Sequence, residues 1–491
     1  MVQSLINLMK RYPAFVGSFW GTSLMGVTYL VFSGLPKYFS GDDYLLLISS
    51  RSPDGYASSF FSCVNDVGMG KWRPAFVCTV APILKLFGDQ YWYFFLLNLG
   101  LIFLICIVAA GVLKSITNLS YLGIAIFAFV LPFSRFAWYG RISPFGLMEF
   151  GALLFTLLFV RQFLLALRHQ TKSSWYLAVG IACTASLFHE RYLVLVAAGF
   201  FIAVINLRNR RMPIPVAPWV LCLGSYVAIK LFLLQLDPII GGGEVPIRSS
   251  ADTWILEHFL IGVKAIAGIG NGTNIGFDAT GYLRQPTLGV VGKIWLAVVA
   301  IVLLLIVSWK TRFVRRILAA KHDIDINLVE QQTVIRQLLL TSGLLLIVPA
   351  STVISRIEGR WLFGPEVLLL ILLVGVLKSH SWRFVILSTY LIFSLSCLQF
   401  LPDYEQPIKL SNNVFEYVDE KLDGRTELVY TIVDPRARPG MIDWLDWVLG
   451  RGNKFEQIGV KSAVLVSNSQ CTGSCIRLVF EDTERFNFVS S

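Results

Sequence analysis

The chain has 491 residues, of which 55% are hydrophobic and 15% are charged. Soluble domains carry about 25% charged residues, so this composition excludes an ordinary soluble protein and favours a membrane protein. Its net charge of +11 would also suit a nucleic-acid-binding protein. The basic residues, however, cluster in alternate polar segments between apolar stretches, which is the distribution that membrane topology requires.

The first apolar stretch, residues 14–34, is long enough to span a membrane as a helix. Lys10 and Arg11 precede it, so we expect a cytoplasmic N-terminus. The stretch is too long for the apolar core of a signal peptide and lacks a small-x-small cleavage site, so we expect no cleavable signal peptide. Similar stretches bring the total to about eleven predicted spans, of which the fifth and sixth could instead form a re-entrant pair: 14–34, 91–113, 119–134, 145–167, 174–188, 191–206, 215–235, 289–308, 337–354, 361–378 and 382–401.

An odd number of spans places the C-terminus outside. The predicted fold is an α-helical polytopic membrane protein over residues 1–401, followed by a small extracytoplasmic α/β domain over residues 402–491. Outer loops are predicted at 35–90 and 236–287. We expect short membrane-surface helices in these loops, at 43–50, 74–86 and 254–266. β-branched runs predict strands in the last domain at 427–433, 462–467 and 476–481, and an amphipathic pattern predicts a helix at 441–449.

The eight cysteines divide by position. Cys471 and Cys475 can close a disulfide if the compartment is oxidising. The alternative, half of a zinc site, lacks a nearby histidine. Cys63 and Cys78 lie in or next to outer segments. Four cysteines lie in apolar stretches and are predicted to be packing residues: Cys106, Cys183, Cys222 and Cys397.

Asp42 and Asp43 follow the first span and therefore emerge on the outer face. Adjacent carboxylates repel each other, so one tends to hold a proton or bind a cation. The pair could simply cap a surface helix. It could also supply a general base that deprotonates a hydroxyl, or hold a divalent cation such as Mg²⁺ or Mn²⁺. Metal dependence stays open at this point.

Basic residues also occur on the predicted outer face, where topology disfavours them. Each could be an interfacial anchor with its charged end in water. Together with carboxylates they suit a lipid-linked phosphate, because arginine binds phosphate through two parallel hydrogen bonds. The residues are Lys71, Arg73, Arg135, Arg141, Arg191, Arg284, Arg356 and Arg360.

Two short motifs stand out among these residues. His189, Glu190 and Arg191 directly follow an apolar run. They could neutralise one another at a helix end, or form the wall of an active site in which His189 or Glu190 orients an acceptor or a metal. Arg356 and Arg360 flank a glycine just before a span, which is a suitable arrangement for clasping a phosphate at the membrane surface.

The chain resembles the GT-C superfamily of polytopic glycosyltransferases over most of its membrane region. Asp42 and Asp43 match the acidic pair of the first outer loop. The stretch at 70–74, followed by a helix and the Leu-Phe-Gly at 86–88, is similar to the family's proline-rich segment before span two. Arg360 precedes a late span, and a soluble domain follows the last one. The chain lacks a WWDYG-type motif, which argues against transfer of a preassembled oligosaccharide.

The resemblance implies an inverting glycosyltransferase, similar to bacterial enzymes that decorate O-antigen or other envelope glycans. It would move a hexose or pentose from a polyprenyl phosphate to a glycan or lipid-linked acceptor, in the bilayer of the bacterial inner membrane. We expect no nucleic acid among the partners of the protein. Asp42 or Asp43 would be the general base. The implied donor-phosphate residues are Arg360, Arg356, Lys71 and Arg73, and the implied acceptor-site residues are His189, Glu190, Arg191 and Arg141.

Two alternatives remain. A transporter or flippase of lipid-linked sugars would also need outer basic residues, but it should show internal repeats and ionisable residues near mid-membrane. A polymerase or ligase of lipid-linked glycans shares the many spans, and only the acidic pair argues against it. No P-loop is present, which argues against an ATP-driven pump.

Overall fold

The computed structural model shows a mostly helical chain that ends in a small β-sheet. The description that follows covers residues 9–39, 41–51, 72–88, 90–205, 214–233, 326–352, 359–377, 379–398, 406–433, 454–472, 475–482 and 487–489. It also covers the isolated residues 7 and 297 and the pairs 63–64, 259–260, 262–263 and 265–266.

Nine helices form the first part of the bundle. A segment of two 3-10 turns, Leu131–Phe133 and Arg135–Ala137, joins the fifth helix to the sixth, and a third turn, Glu190–Leu193, leads into the ninth. The helices are α1 Pro13–Phe32, α2 Gly41–Arg51, α3 Pro74–Phe87, α4 Tyr91–Ile116, α5 Tyr121–Val130, α6 Trp138–Ile142, α7 Gly146–His169, α8 Lys172–Phe188 and α9 Val194–Ile205.

Five helices follow. The tenth continues into a π-helical turn, Ile229–Leu233, and a 3-10 turn, Gly359–Leu362, leads into the twelfth. These helices are α10 Ala217–Ala228, α11 Ile326–Thr352, α12 Phe363–Val376, α13 His380–Cys397 and α14 Gln406–Leu422.

Among the described residues, three helices are long and apolar enough to cross a membrane: α1, α4 and α7, with 20, 26 and 24 residues. Helices occur at ten of the eleven predicted spans, and the span at 289–308 lies outside the described residues except for residue 297. The prediction of about eleven spanning helices is therefore not supported, because only three helices of the described residues are long and apolar enough to span. Several of the other helices are short because 3-10 or π turns interrupt the apolar stretches, as at Pro132 after α5 and at Ile229 after α10.

The outward face of α1 is apolar. Trp20, Val27 and Val31 are 55%, 58% and 73% exposed, while Met25 and Tyr29 on its other side are fully buried. Large apolar side chains exposed in rows are unfavourable in water and favourable in lipid. The exposure pattern therefore agrees with the composition in indicating a membrane environment.

The helices run in two directions: α1 is antiparallel to α4, whereas α4, α7 and α12 run the same way. Tyr29, near the end of α1, packs on Phe95, near the start of α4. Phe150 at the start of α7 contacts Phe363 at the start of α12, and Gly375 at the end of α12 lies beside Ile116 at the end of α4. The bundle therefore has two distinct ends, and the helix starts that follow predicted outer loops share one of them.

Two glycines allow α1 and α5 to approach closely. A Cβ atom added at Gly17 would lie 2.1 Å from the carbonyl oxygen of Ala125, and one at Gly21 would lie 2.4 Å from that of Phe129. Small residues four apart permit such backbone contact between membrane helices. Because the pairs 17–125 and 21–129 advance together, α1 and α5 run in parallel.

The C-terminal sheet has the strand order β2-β1-β3-β4. β1 (Glu427–Val433) pairs in parallel with β2 (Ser462–Leu465) and β3 (Ile476–Asp482), and β3 pairs antiparallel with β4 (Asn487–Val489). The three predicted strands are thus present. α14 and β4 were not predicted, and the helix predicted at 441–449 lies outside the described residues.

One face of α14 packs on this sheet. Val414, Phe415 and Val418 share a hydrophobic core with Leu428 and Tyr430 of β1. The spacing of these α14 residues matches the 3.6-residue helical period, so the same helix is apolar on one side and polar on the other.

Gly21→Ala tests the contact between α1 and α5. The added methyl group meets a backbone oxygen that cannot move aside, so we expect a loss of about 1–3 kcal/mol in the free energy of unfolding. Gly100→Ala in α4 is the control, because nothing lies within 4 Å of its Cβ position. Thermal unfolding in one detergent should rank the wild type and Gly100→Ala above Gly21→Ala; equal midpoints for the two variants would contradict the packing.

Candidate functional site

The acidic pair lies in the first turn of α2, which begins at Gly41. Asp43 is 1% exposed. Its Oδ1 accepts a hydrogen bond from the Ser143 hydroxyl at 2.6 Å, and its Oδ2 accepts one from the Tyr91 hydroxyl at 3.0 Å. A carboxylate near a helix N-terminus is also favoured by the helix dipole. Asp43 is therefore a fixed, buried anchor. The side chain of Asp42 lies outside the described residues.

The turn that carries Ser143 is itself held from two sides. The Asn98 side-chain amide donates to the carbonyl oxygens of Ser143 at 2.9 Å and Arg141 at 3.3 Å. Arg141 is fully buried, and its guanidinium donates to the carbonyl oxygens of Pro132 and Ser134. Arg141, predicted at the wall of an acceptor site, thus braces the backbone of the 131–143 segment.

The same segment reaches α12. The Ser134 hydroxyl donates to Glu366, which lies in the first turn of α12. Arg135 donates to the carbonyl oxygen of Ala265 and lies over the ring of Phe393 at 5.0 Å. Through these contacts, residues 134 and 135 join the 131–143 segment to α12 and α13.

Arg73, predicted to bind the donor phosphate, forms a two-pronged ion pair with Glu190. Its Nε lies 2.8 Å from Glu190 Oε2, and its Nη2 lies 2.9 Å from Oε1. The pair joins the start of α3 to the turn before α9. Its guanidinium is thus paired with a carboxylate, and its predicted role at the donor phosphate stays a prediction. Lys71, the neighbouring candidate, lies outside the described residues.

Glu149, in the first turn of α7, contacts the other two residues of the 189–191 motif, His189 and Arg191. Arg191 donates to Glu149 Oε2, and His189 Nε2 lies 3.6 Å from Oε1. All three side chains are at most 8% exposed. The motif at 189–191 is thus neutralised mainly by partners from other elements, Glu149 and Arg73. Sequence reasoning did not assign Glu149 to the site.

The two sequence motifs meet at this ion pair. Arg191 Nη1 donates to the carbonyl oxygen of Trp361 at 3.2 Å. A Cβ atom added at Gly364 would lie 2.5 Å from the Tyr192 hydroxyl oxygen. Arg360 lies in the 3-10 turn that includes Trp361, so Arg191 holds the backbone of that turn. The Arg360 side chain, Arg356 and Arg284 lie outside the described residues.

The buried acidic side chains share a position: Asp43, Glu149 and Glu366 each lie in the first turn of a helix. Each is bound by a hydroxyl or a guanidinium from another element. The helix starts of this end of the bundle thus form a polar layer of two bonded groups, one around Asp43 and Glu366 and one around Glu149, which meet at the backbone of residues 361–366. We call it the polar end layer. It consists of Asp43, Tyr91, Asn98, Ser134, Arg141, Ser143, Glu149, His189, Arg191 and Glu366.

Within the described part of the chain, no group of three or more His, Cys, Asp or Glu side chains could hold a metal ion. Both carboxylate oxygens of Asp43 accept hydrogen bonds from hydroxyl groups, which is a poor arrangement for a metal ligand. We therefore derive no step through a metal.

Six cysteines form three disulfides, and Cys106 and Cys397 are free and buried. Cys471 and Cys475 form a disulfide. Cys63 and Cys78 form a second one, which ties residue 63 of the first predicted outer loop to α3. The prediction that Cys183 and Cys222 only pack was wrong, because they form a disulfide between α8 and α10. Partners from different apolar helices cannot be paired from sequence spacing.

No protein-family model matches the sequence, and no curated protein matches it. The functional argument therefore rests on the residues and their geometry.

The Glu149–Arg191 pair provides a test of the polar end layer. Glu149→Gln leaves the Arg191 charge buried with a weaker partner, so we expect a loss of about 3–5 kcal/mol in the free energy of unfolding. Arg73→Gln is the comparison, because that ion pair is more exposed, at 14% and 23%, and its loss should therefore cost less.

Denaturant unfolding in detergent would measure both losses. The double variant Glu149→Leu with Arg191→Met removes both charges and should recover much of the loss. If Glu149→Gln costs no more than Arg73→Gln, the buried pair does not organise this end of the bundle.

Proposed function

We propose that this protein is a multi-pass membrane glycosyltransferase of the GT-C type. It moves a monosaccharide from a polyprenyl phosphate to a glycan or lipid-linked acceptor at the outer face of a bacterial plasma membrane. The observation that supports this proposal most is that the polar end layer holds both the Asp42–Asp43 turn and the Arg360 turn.

Two routes of contacts carry that connection. Asp43 binds Ser143, whose segment, braced by Arg141, reaches Glu366 of α12 through Ser134. The Arg360 turn immediately precedes α12. Arg191 then binds the same turn and Glu149 of α7. A base and a phosphate-binding group that are fixed to one frame can hold two substrates in a constant relative orientation, which is a large source of rate enhancement.

The burial of Asp43 suggests different roles for the two members of the acidic pair. Asp43 is enclosed and bound by two hydroxyl groups, so no acceptor can reach it, and its role is to position α2. Asp42, its neighbour in the same helical turn, is the general base. It takes the proton of the acceptor hydroxyl as that oxygen forms a bond to the anomeric carbon with inversion.

The bond from the anomeric carbon to the phosphate oxygen breaks in the same step, and its electron pair stays on the lipid phosphate. Arg360 stabilises this growing charge, together with Arg356 and Lys71. Preorganised cations of this kind lower a barrier by several kcal/mol. Arg73 and Arg191 instead pair with Glu190 and Glu149, and they fix the elements that carry the other groups.

A transporter of lipid-linked sugars is the second candidate, and the buried Glu149, Arg191 and Glu366 favour it in principle. A transport path, however, places ionisable residues near the middle of its helices. Glu149 and Glu366 lie in first helical turns, and Arg191 lies in the turn before α9. This placement favours a transferase with its reaction at one end of the bundle over a transporter that moves a lipid-linked sugar through the bundle.

Radiolabelled sugars on undecaprenyl phosphate, offered to the purified protein with envelope-glycan acceptors, separate the two functions. A transferase moves the label to the acceptor and releases undecaprenyl phosphate. A transporter moves the intact labelled lipid across a proteoliposome membrane and releases no free phosphate carrier. Movement without release would overturn the proposal.

Single amide substitutions separate the proposed roles of the two aspartates. Asp42→Asn removes the base, so we expect the transfer rate to fall about a hundredfold or more at unchanged thermal stability. Asp43→Asn weakens the contacts to Ser143 and Tyr91, so both the melting temperature and the rate should fall.

Asp419→Asn, at an exposed position of α14, is the matched control and should change neither quantity. Transfer rates and melting temperatures, measured on the same preparations, distinguish a catalytic role of Asp42 from a structural role of Asp43. A fully active Asp42→Asn variant would exclude Asp42 as the base.

A further inference from the structure

The C-terminal domain contacts the segment that leads into the acidic pair. Asn412 of α14 is 7% exposed, and its Oδ1 accepts hydrogen bonds from the backbone N–H groups of Lys37 and Tyr38, each at 2.8 Å. Its Nδ2 donates to the carbonyl oxygen of Tyr38 at 3.2 Å. One side chain thus satisfies three backbone groups of the segment after α1.

A second amide continues the contact. Gln457, in the 3-10 turn Lys454–Ile458, accepts from the backbone N–H of Phe39 at 3.0 Å and donates to its carbonyl oxygen at 3.0 Å. Glu456 accepts from the Tyr44 hydroxyl at 3.4 Å. The C-terminal domain therefore contacts the chain on both sides of Asp42 and Asp43.

Apolar contacts strengthen the attachment. The Tyr38 ring packs edge-on against Phe415 at 5.6 Å and belongs to the hydrophobic core of the C-terminal domain. Phe39 is fully buried on the other side, with its ring 4.5 Å from that of Tyr91. Tyr91 in turn donates to Asp43. A continuous path therefore runs from Gln457 through Phe39 and Tyr91 to the buried carboxylate.

We infer that the C-terminal domain positions the acidic pair, with Asn412 and Gln457 as the positioning residues. The two amides hold the backbone of residues 37–39 from the side of the soluble domain, while Ser143 and Tyr91 hold Asp43 from the side of the helix bundle. The start of α2 is fixed only when both attachments are made. The catalytic meaning of this coupling rests on the function proposed above; the coupling itself does not.

Hydrogen exchange of the backbone amides at residues 37–39 measures the attachment directly on the full-length protein in detergent. Asn412→Ala removes three hydrogen bonds, so exchange at residues 37 and 38 should accelerate at least about tenfold. Asn413→Ala is the matched control, because this neighbour on α14 is exposed, and it should leave the exchange unchanged. Equal exchange in the two variants overturns the inference.

Gln457→Glu is a second, milder variant, to be used if Asn412→Ala unfolds the C-terminal domain. The glutamate still accepts from the Phe39 N–H but cannot donate to its carbonyl oxygen. Exchange should therefore accelerate at residues 37–39 while the amides of β1 and β3 stay protected. Unchanged exchange at residues 37–39 in Gln457→Glu also overturns the inference.

Transfer assays with the undecaprenyl-phosphate sugar measure whether the loss of this attachment also slows catalysis. Misplacing the base should lower kcat roughly tenfold to a hundredfold in Asn412→Ala, with the KM for the donor little changed, because Arg360 is attached to other elements. A wild-type protein without transfer activity would refute the proposed function, and the exchange data would still decide the coupling. Faster exchange with an unchanged kcat would refute the positioning role.

Discussion

A carboxylate buried among apolar helices must find hydrogen-bond donors, and Asp43 is the residue on which this requirement bears most. Its two oxygens are bound by hydroxyl groups from α4 and from the turn before α7. Burial without them would cost several kcal/mol. The start of α2, the start of α4 and the 131–143 segment are consequently fixed relative to one another, and every other element of the site is attached to this arrangement.

The same requirement orders the remaining charges. Two buried charges, Asp43 and Arg191, are each bound beside a residue to which the proposed function gives a role at the substrate. In the acidic pair Asp43 is bound by two hydroxyl groups, and Asp42 is the base in the proposed mechanism. Arg191 binds Glu149 and the carbonyl oxygen of Trp361, in the turn that carries Arg360, the proposed phosphate-binding residue. Under the proposed function, buried charges thus hold the backbone of the reactive residues in place.

Hydropathy predicts where the helices lie, and the β-branched run at 427–433 predicts β1 to the residue, because both follow from local composition. The partners of the site residues do not follow in this way. Glu149 and Ser143 are single polar residues beside apolar stretches, and only the packing of α7 and α4 brings them to Arg191 and Asp43. The helix α14 had a signal in the spacing of Val414, Phe415, Val418 and Leu422, but its polar residues and the absence of long apolar runs concealed it.

The central claim is that the polar end layer and the C-terminal domain lie together at the outer face of a membrane, with the basic helix ends opposite. Labelling of single introduced cysteines in intact bacterial cells by a membrane-impermeant maleimide tests it most directly. The two native free cysteines are buried and give little background. We expect Ser467→Cys, exposed on the C-terminal domain, to be labelled, and Gln170→Cys, exposed at the opposite end of α7, to react only after permeabilisation. Labelling of both positions in intact cells, or the reverse pattern, would contradict the account.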